Sequence, residues 1–123
     1  MARTVLIVDD SAPFRATART LLQARGYEVV AAVPDAASGL EAAHKLRPDA
    51  VLLDINLPDG DGLQIARRFA VGGYAPVIVL VSTMDGAAFG DGIAASGARG
   101  FIAKASLRSP LLIELLGPPS GAP

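Results

Sequence analysis

Four short apolar runs do most to limit the fold of this chain: Val5 to Val8, Val29 to Val33, Ala50 to Leu53 and Val77 to Val81. Each is continuous, not alternating, and rich in Val, Ile and Leu. That is the pattern of strands covered on both faces, as in a parallel sheet between two helical layers. A fifth run, Gly100 to Ala103, is shorter and weaker. Segments of helical length separate the runs, so the chain reads as strand then helix five times. This predicts one α/β domain, an open parallel sheet with right-handed crossovers and helices on both faces.

The first helix is the clearest. Asp10 or Ser11 supplies an N-cap, Pro13 falls in the first turn, Phe14, Ala18, Leu21 and Leu22 share a face, and Gly26 stops it. Arg15, Arg19 and Arg25 form the outer stripe and are expected to be solvated. A second helix is expected over about 35–46, ending before Pro48 and burying Leu40 and Ala43, and a third over about 62–69. The fourth segment carries four glycines between Asp85 and Gly97, each costing about 1 kcal/mol against Ala inside a helix, so it should be the least stable. The fifth helix is expected over about 107–116. Residues 1–117 then form the domain, and 118–123 read as a flexible tail or the start of a linker.

Composition narrows the function classes. Eleven basic against twelve acidic residues leave a formal charge of −1, so no overall field draws this domain to nucleic acid or to an anionic membrane. Cysteine is absent, which removes disulfides, thiolate metal sites and cysteine nucleophiles. The longest uncharged stretch, Phe69 to Met84, is interrupted by Gly72, Gly73 and Pro76 and is too short for a membrane span. No leader-like segment precedes the first run, and a cytoplasmic location is expected.

In open parallel sheets ligands bind outside the carboxyl ends of the strands. Asp9 and Asp10 follow the first run, Asp54 the third, Ser82 and Thr83 the fourth, and Lys104 the fifth. Three carboxylates gathered on one rim repel one another unless a cation lies between them. Hard oxygen ligands suit Mg²⁺, with Mn²⁺ as the alternative, and leave room for a phosphate oxygen. Lys104 adds a mobile point charge and Ser82, or alternatively Thr83, a hydroxyl donor. Such a set can neutralise a phosphoryl group in transfer to Asp54, where catalysis is positioning and electrostatics. His44, the single histidine, sits among charged neighbours on a predicted helix and reads as a surface residue.

The set VLIVDD, LLDINLPDGDG, VLVST and GARGFIAKASL, in this order and spacing, resembles the receiver domain of bacterial two-component response regulators. The resemblance runs from Val5 to the fifth helix. It implies a flavodoxin-like, doubly wound sheet of order 2-1-3-4-5, phosphorylated on Asp54 by a histidine kinase, a phosphotransfer protein or a small phosphodonor. It also implies that Asp10 and Asp54 bind Mg²⁺ directly, that Asp9 holds its waters, and that the backbone carbonyl of Asn56 completes the shell. Ser82 and Phe101 become the switch pair. The fourth helix, fifth strand and fifth helix become the output face and a surface for homodimerisation. On this reading the domain is no enzyme beyond its own phosphorylation and dephosphorylation, and the wording around Lys104 is similar to receivers that precede helix-turn-helix output domains.

Two positions depart from the commonest pattern: Ala105 stands where the family usually has Pro, and Thr83 where it has a smaller residue. Ala105 removes the usual reason for a cis peptide there. Two other functions compete. One is a receiver-like interaction domain that no longer responds to phosphate. The other is a phosphohydrolase of the haloacid dehalogenase type, disfavoured because Asn56 stands where that family wants a second Asp.

Overall fold

The computed structural model describes residues 2–120. Five strands, β1 (Thr4–Val8), β2 (Glu28–Val33), β3 (Ala50–Asp54), β4 (Val77–Ser82) and β5 (Gly100–Ala103), form one parallel sheet in the order β2-β1-β3-β4-β5. This is the doubly wound, flavodoxin-like order. All five runs become strands, each reaching no more than a residue past its apolar stretch.

The continuous apolar runs serve two cores at once, because successive side chains of a strand point to opposite faces. Val5, Ile7, Leu52, Val79, Val81 and Ile102 face one cluster, completed by helices α1 (Ala12–Ala24) and α5 (Leu111–Leu116). Leu6, Val8, Val51, Leu53, Ile78 and Leu80 face the other, under α2 (Ala36–Leu46) and α3 (Gly62–Ile65). Leu6, Ile7, Leu52, Leu53 and Leu80 are fully buried, each worth roughly 1.5–3 kcal/mol of burial.

The helix ends explain where prediction and structure part. α1 is capped by Ser11, whose Oγ accepts from Phe14 N–H. α3 gives way after one turn to a 3₁₀ segment, Ala66–Phe69. In the fourth segment Gly90 takes φ +54 and ψ −126, open to glycine, and splits the expected helix into a 3₁₀ turn, Gly86–Phe89, and the single turn α4 (Gly92–Ala95). Neither piece contains a fully buried residue. α5 starts later than expected, because Pro110 restricts Ser109, and Ser109 Oγ instead accepts from Leu111 N–H.

The C-terminal end of α5 is clasped to the start of the chain. Arg3 donates its Nε–H to the Leu116 carbonyl and its backbone N–H to that of Pro119, and Tyr27 Oη donates to the Gly117 carbonyl. Of the expected tail, Pro119 is therefore bonded to Arg3, while 121–123 lie outside the described residues. Among the described residues no helix is long and apolar enough to cross a membrane.

Candidate functional site

Asp9 leaves β1 fully buried, and its Oδ1 accepts from Ser11 N–H at 2.9 Å. One carboxylate thus sets the chain direction into α1, while Asp10 beside it points to solvent. Asp54 is the last residue of β3, 3% exposed, and its Oδ1 accepts from Asn56 N–H at 3.1 Å. Gly62 makes this arrangement possible: a Cβ there would sit 2.5 Å from the Asp54 carbonyl and 2.7 Å from Ile55 Cα. Its N–H donates to Ile55 O at 2.7 Å, closing a small antiparallel hairpin between Asn56–Leu57 and Gly60–Asp61.

Lys104 follows β5 and returns to the acids. Its Nζ lies 2.7 Å from Asp9 Oδ2 and 3.5 Å from Asp54 Oδ2, with the side chain 14% exposed. The contact with Asp9 is an ion pair outside hydrogen-bond geometry, and the buried Asp9 Oδ2 has no hydrogen bond. Phe14 completes the surround, its ring centroid 4.5 Å from Nζ.

Burial pushes the Asp54 carboxyl above its ordinary range, and the Asp9 charge pushes it further, against the pull of Asn56 N–H and Lys104. One ammonium does not offset three acids. Asp9, Asp10 and Asp54 each offer a carboxylate oxygen, and these lie within 4.8 Å of one another. Hard oxygens at this spacing, partly desolvated and short of positive charge, suit a hard divalent cation.

Ser82 ends β4 fully buried, its Oγ accepting from Met84 N–H at 3.1 Å and, at 3.4 Å, from the Asn56 amide. Thr83, the alternative, is exposed. Phe101 is half-buried on the α2 and α3 side of the sheet, its ring 5.9 Å from that of Phe89 and tilted by 54°. The Lys104–Ala105 peptide is trans, like every other among the described residues. His44 is exposed on α2, as expected.

The structure therefore brings Asp9, Asp10, Asp54 and Lys104 together, with Asn56 linking Asp54 to Ser82, and leaves Phe101 packed to one side. Several participants were not foreseen in the sequence. Arg15, placed on a solvated stripe, instead donates from Nη1 to the Asp9 carbonyl at 2.7 Å, and Arg25 donates to the Arg108 carbonyl. Phe14 was expected only as a core residue. Asp59, in a loop dense with turn formers, accepts from Ala36 N–H and Ala37 N–H and so helps to cap α2.

A family model described as the response regulator receiver domain matches residues 5–115. The chain is 38% identical over 112 residues to a protein-glutamate methylesterase/protein-glutamine glutaminase 2 of Koribacter versatilis (strain Ellin345), covering 89% of this chain and 31% of that one. It is 29% identical over 99 residues to the DNA-binding transcriptional activator EvgA of Escherichia coli (strain K12), covering 80% of this chain and 48% of that one. It spans only a third to a half of such relatives. The crystal structure of a two-component response regulator of the LuxR family from Aurantimonas sp. SI85-9A1 superposes with a TM-score of 0.80 at 27% identity, covering 100% of this chain and 91% of that one. With the acids, the hydroxyl and the lysine set at the carboxyl ends of a β2-β1-β3-β4-β5 sheet, this chain belongs to the response regulator receiver domain family of two-component signalling.

Proposed function

We propose that Asp54 is the phosphoryl acceptor of this receiver domain. The observation that carries the reading is the Lys104 ammonium drawn onto both the Asp9 and Asp54 carboxylates inside an acidic cluster. An oxygen lone pair of Asp54 forms the new bond to phosphorus as the donor's P–N bond, or the P–O bond of an acyl phosphate, breaks and the leaving group keeps the electron pair. Water later attacks the phosphorus, releasing inorganic phosphate and restoring the carboxylate. Asp10 and Asp54, with Asp9 beside them and the Asn56 carbonyl, would hold Mg²⁺, or Mn²⁺ in its place, and the ion would supply charge neutralisation for the phosphoryl oxygens. Asp9 keeps Lys104 at the site, where its charge shifts from carboxylate to phosphoryl oxygen. The Ser82 hydroxyl turns from the Met84 N–H to a phosphoryl oxygen.

The switch then passes through Phe101, which moves inward as Ser82 moves, to the face built from α4, β5 and α5, where the domain meets an output partner or a second copy. The donor is a histidine kinase, a phosphotransfer protein or a small phosphodonor. The domain occupies residues 1–117, works in the cytoplasm, makes no nucleic-acid contact of its own, and belongs to a transcription regulator with a helix-turn-helix output. It is no enzyme beyond turnover of its own phosphoryl group.

Incubation with acetyl phosphate and Mg²⁺, followed by intact mass, tests this. The wild type gains one phosphoryl group and Asp54→Asn gains none. An unreactive wild type, or an equal gain in Asp54→Asn, would refute the reading.

A further inference from the structure

The position of the Lys104 ammonium is underdetermined by the carboxylates it serves. Its four-carbon stem has several rotatable bonds, and it opens a 3₁₀ turn, Lys104–Ser106, in which the next residue is the exposed Ala105. Asp9 Oδ2 attracts Nζ at 2.7 Å outside hydrogen-bond geometry, and Asp54 Oδ2 stands off at 3.5 Å. The two carboxylates hold the cation at the site, but both act on it from the strand side and leave its opposite face to other groups. A cavity of about 250 Å³ borders the same residues, lined by Pro13, Phe14, Thr17, Lys104, Ala105 and Leu107 among others. On that face of the cation lies the Phe14 ring, its centroid 4.5 Å from Nζ.

That ring is well placed for the task. Ser11 caps α1 and Pro13 stiffens its first turn, so the backbone carrying Phe14 is fixed on the side of the site formed by β1. A half-buried aromatic ring has few rotamers, and its face is electron-rich; a cation 4.5 Å from its centroid, with little water around it, is held electrostatically. The attraction is strongest over the ring centre, so it supplies the direction that the two carboxylates do not.

We propose that Phe14 is a positioning residue for phosphoryl transfer, its ring face holding the Lys104 ammonium between Asp9 and Asp54. The proposal rests on the reading of Asp54 as phosphoryl acceptor. It assigns to an apparent core residue a part in the site, and it makes the electron density of the ring, not its volume, the property that matters.

The test separates those two properties. Phe14 is replaced in steps by mono-, di- and trifluorophenylalanine, which withdraw electron density at nearly constant shape, and phosphorylation by acetyl phosphate with Mg²⁺ is followed in each. The maximal rate is expected to fall stepwise to about one fifth, with the half-saturating donor concentration unchanged, Phe14→Leu behaving like the most fluorinated form and Phe14→Trp like the wild type. A second reading needs no phosphoryl transfer. The chain has two lysines, Lys45 and Lys104, so in a Lys45→Arg background the ε-methylene protons of Lys104 are identified directly by NMR. They are expected upfield through the ring current of Phe14 and at ordinary values in Phe14→Leu. A flat fluorination series, or ordinary Lys104 shifts in the unfluorinated protein, overturns the proposal. A wild type inert to acetyl phosphate refutes the proposed function instead, and the NMR shifts still decide the role of Phe14.

Discussion

Gly62 shows how narrowly single residues set this site. Its missing Cβ lets α3 start against the Asp54 carbonyl, and Gly62→Ala forces a 2.5 Å approach that backbone must yield to. The expected cost is roughly 1–3 kcal/mol, read as a lower denaturation midpoint, together with slower phosphorylation because Asp54 moves with its backbone. Unchanged stability and rate would show that the loop absorbs the methyl elsewhere. The positions of the polar groups were legible in the sequence because each of Asp9, Asp54, Ser82 and Lys104 stands where an apolar run stops. Their contacts were not: that the Phe14 ring covers Lys104, or that the Asn56 amide reaches Ser82, depends on rotamers and on how helices lie across the sheet.

At the scale of elements, α2 begins on two carboxylates. Asp35 accepts from Ser38 N–H, while Asp59, from the loop after β3, takes Ala36 N–H and Ala37 N–H. Those two N–H groups favour the ionised form and hold the Asp59 carboxyl below its ordinary value. The native state thus prefers the carboxylate, and the stability this link contributes is complete above the unfolded value, about 4, and lost as pH falls through the lower folded one. Asp59→Ala should melt below the wild type at pH 7, and the gap should narrow as pH falls below the unfolded value; a gap independent of pH would assign the effect to something other than the charge. The sequence marked this loop only as rich in turn formers, since a cap supplied from a distant segment leaves no local pattern. The fourth segment was read more closely. Its glycines predicted low stability, and the structure splits the expected helix into a 3₁₀ turn and the one-turn α4, neither with a buried residue. Amides of residues 86–95 should exchange with solvent faster than those of α1, on the grounds of few buried contacts, and equal protection would contradict this.

For the whole molecule, the two-sided core was the most legible feature. Short Val- and Ile-rich runs such as Val77 to Val81, without a polar residue, suit strands buried on both faces, and the sheet follows once such runs alternate with segments of helical length. Helix lengths were less legible, because Pro110 and Gly90 act through backbone conformations whose effect depends on neighbours. The bonds joining Arg3 to Leu116 and Pro119 bear on how this domain can be rewired. Its first strand begins where its last helix ends, while Gly72 and Gly73 lie in an exposed turn where even an added Cβ would touch nothing. A circular permutant linked from residue 119 to residue 3 and opened at Gly72–Gly73 should keep the native sheet and a cooperative melt, checked by circular dichroism. Order of synthesis would then be separable from order of packing: the strand bearing Ser82 would leave the ribosome first, ahead of the two strands whose acids it faces, with no change in the site they build.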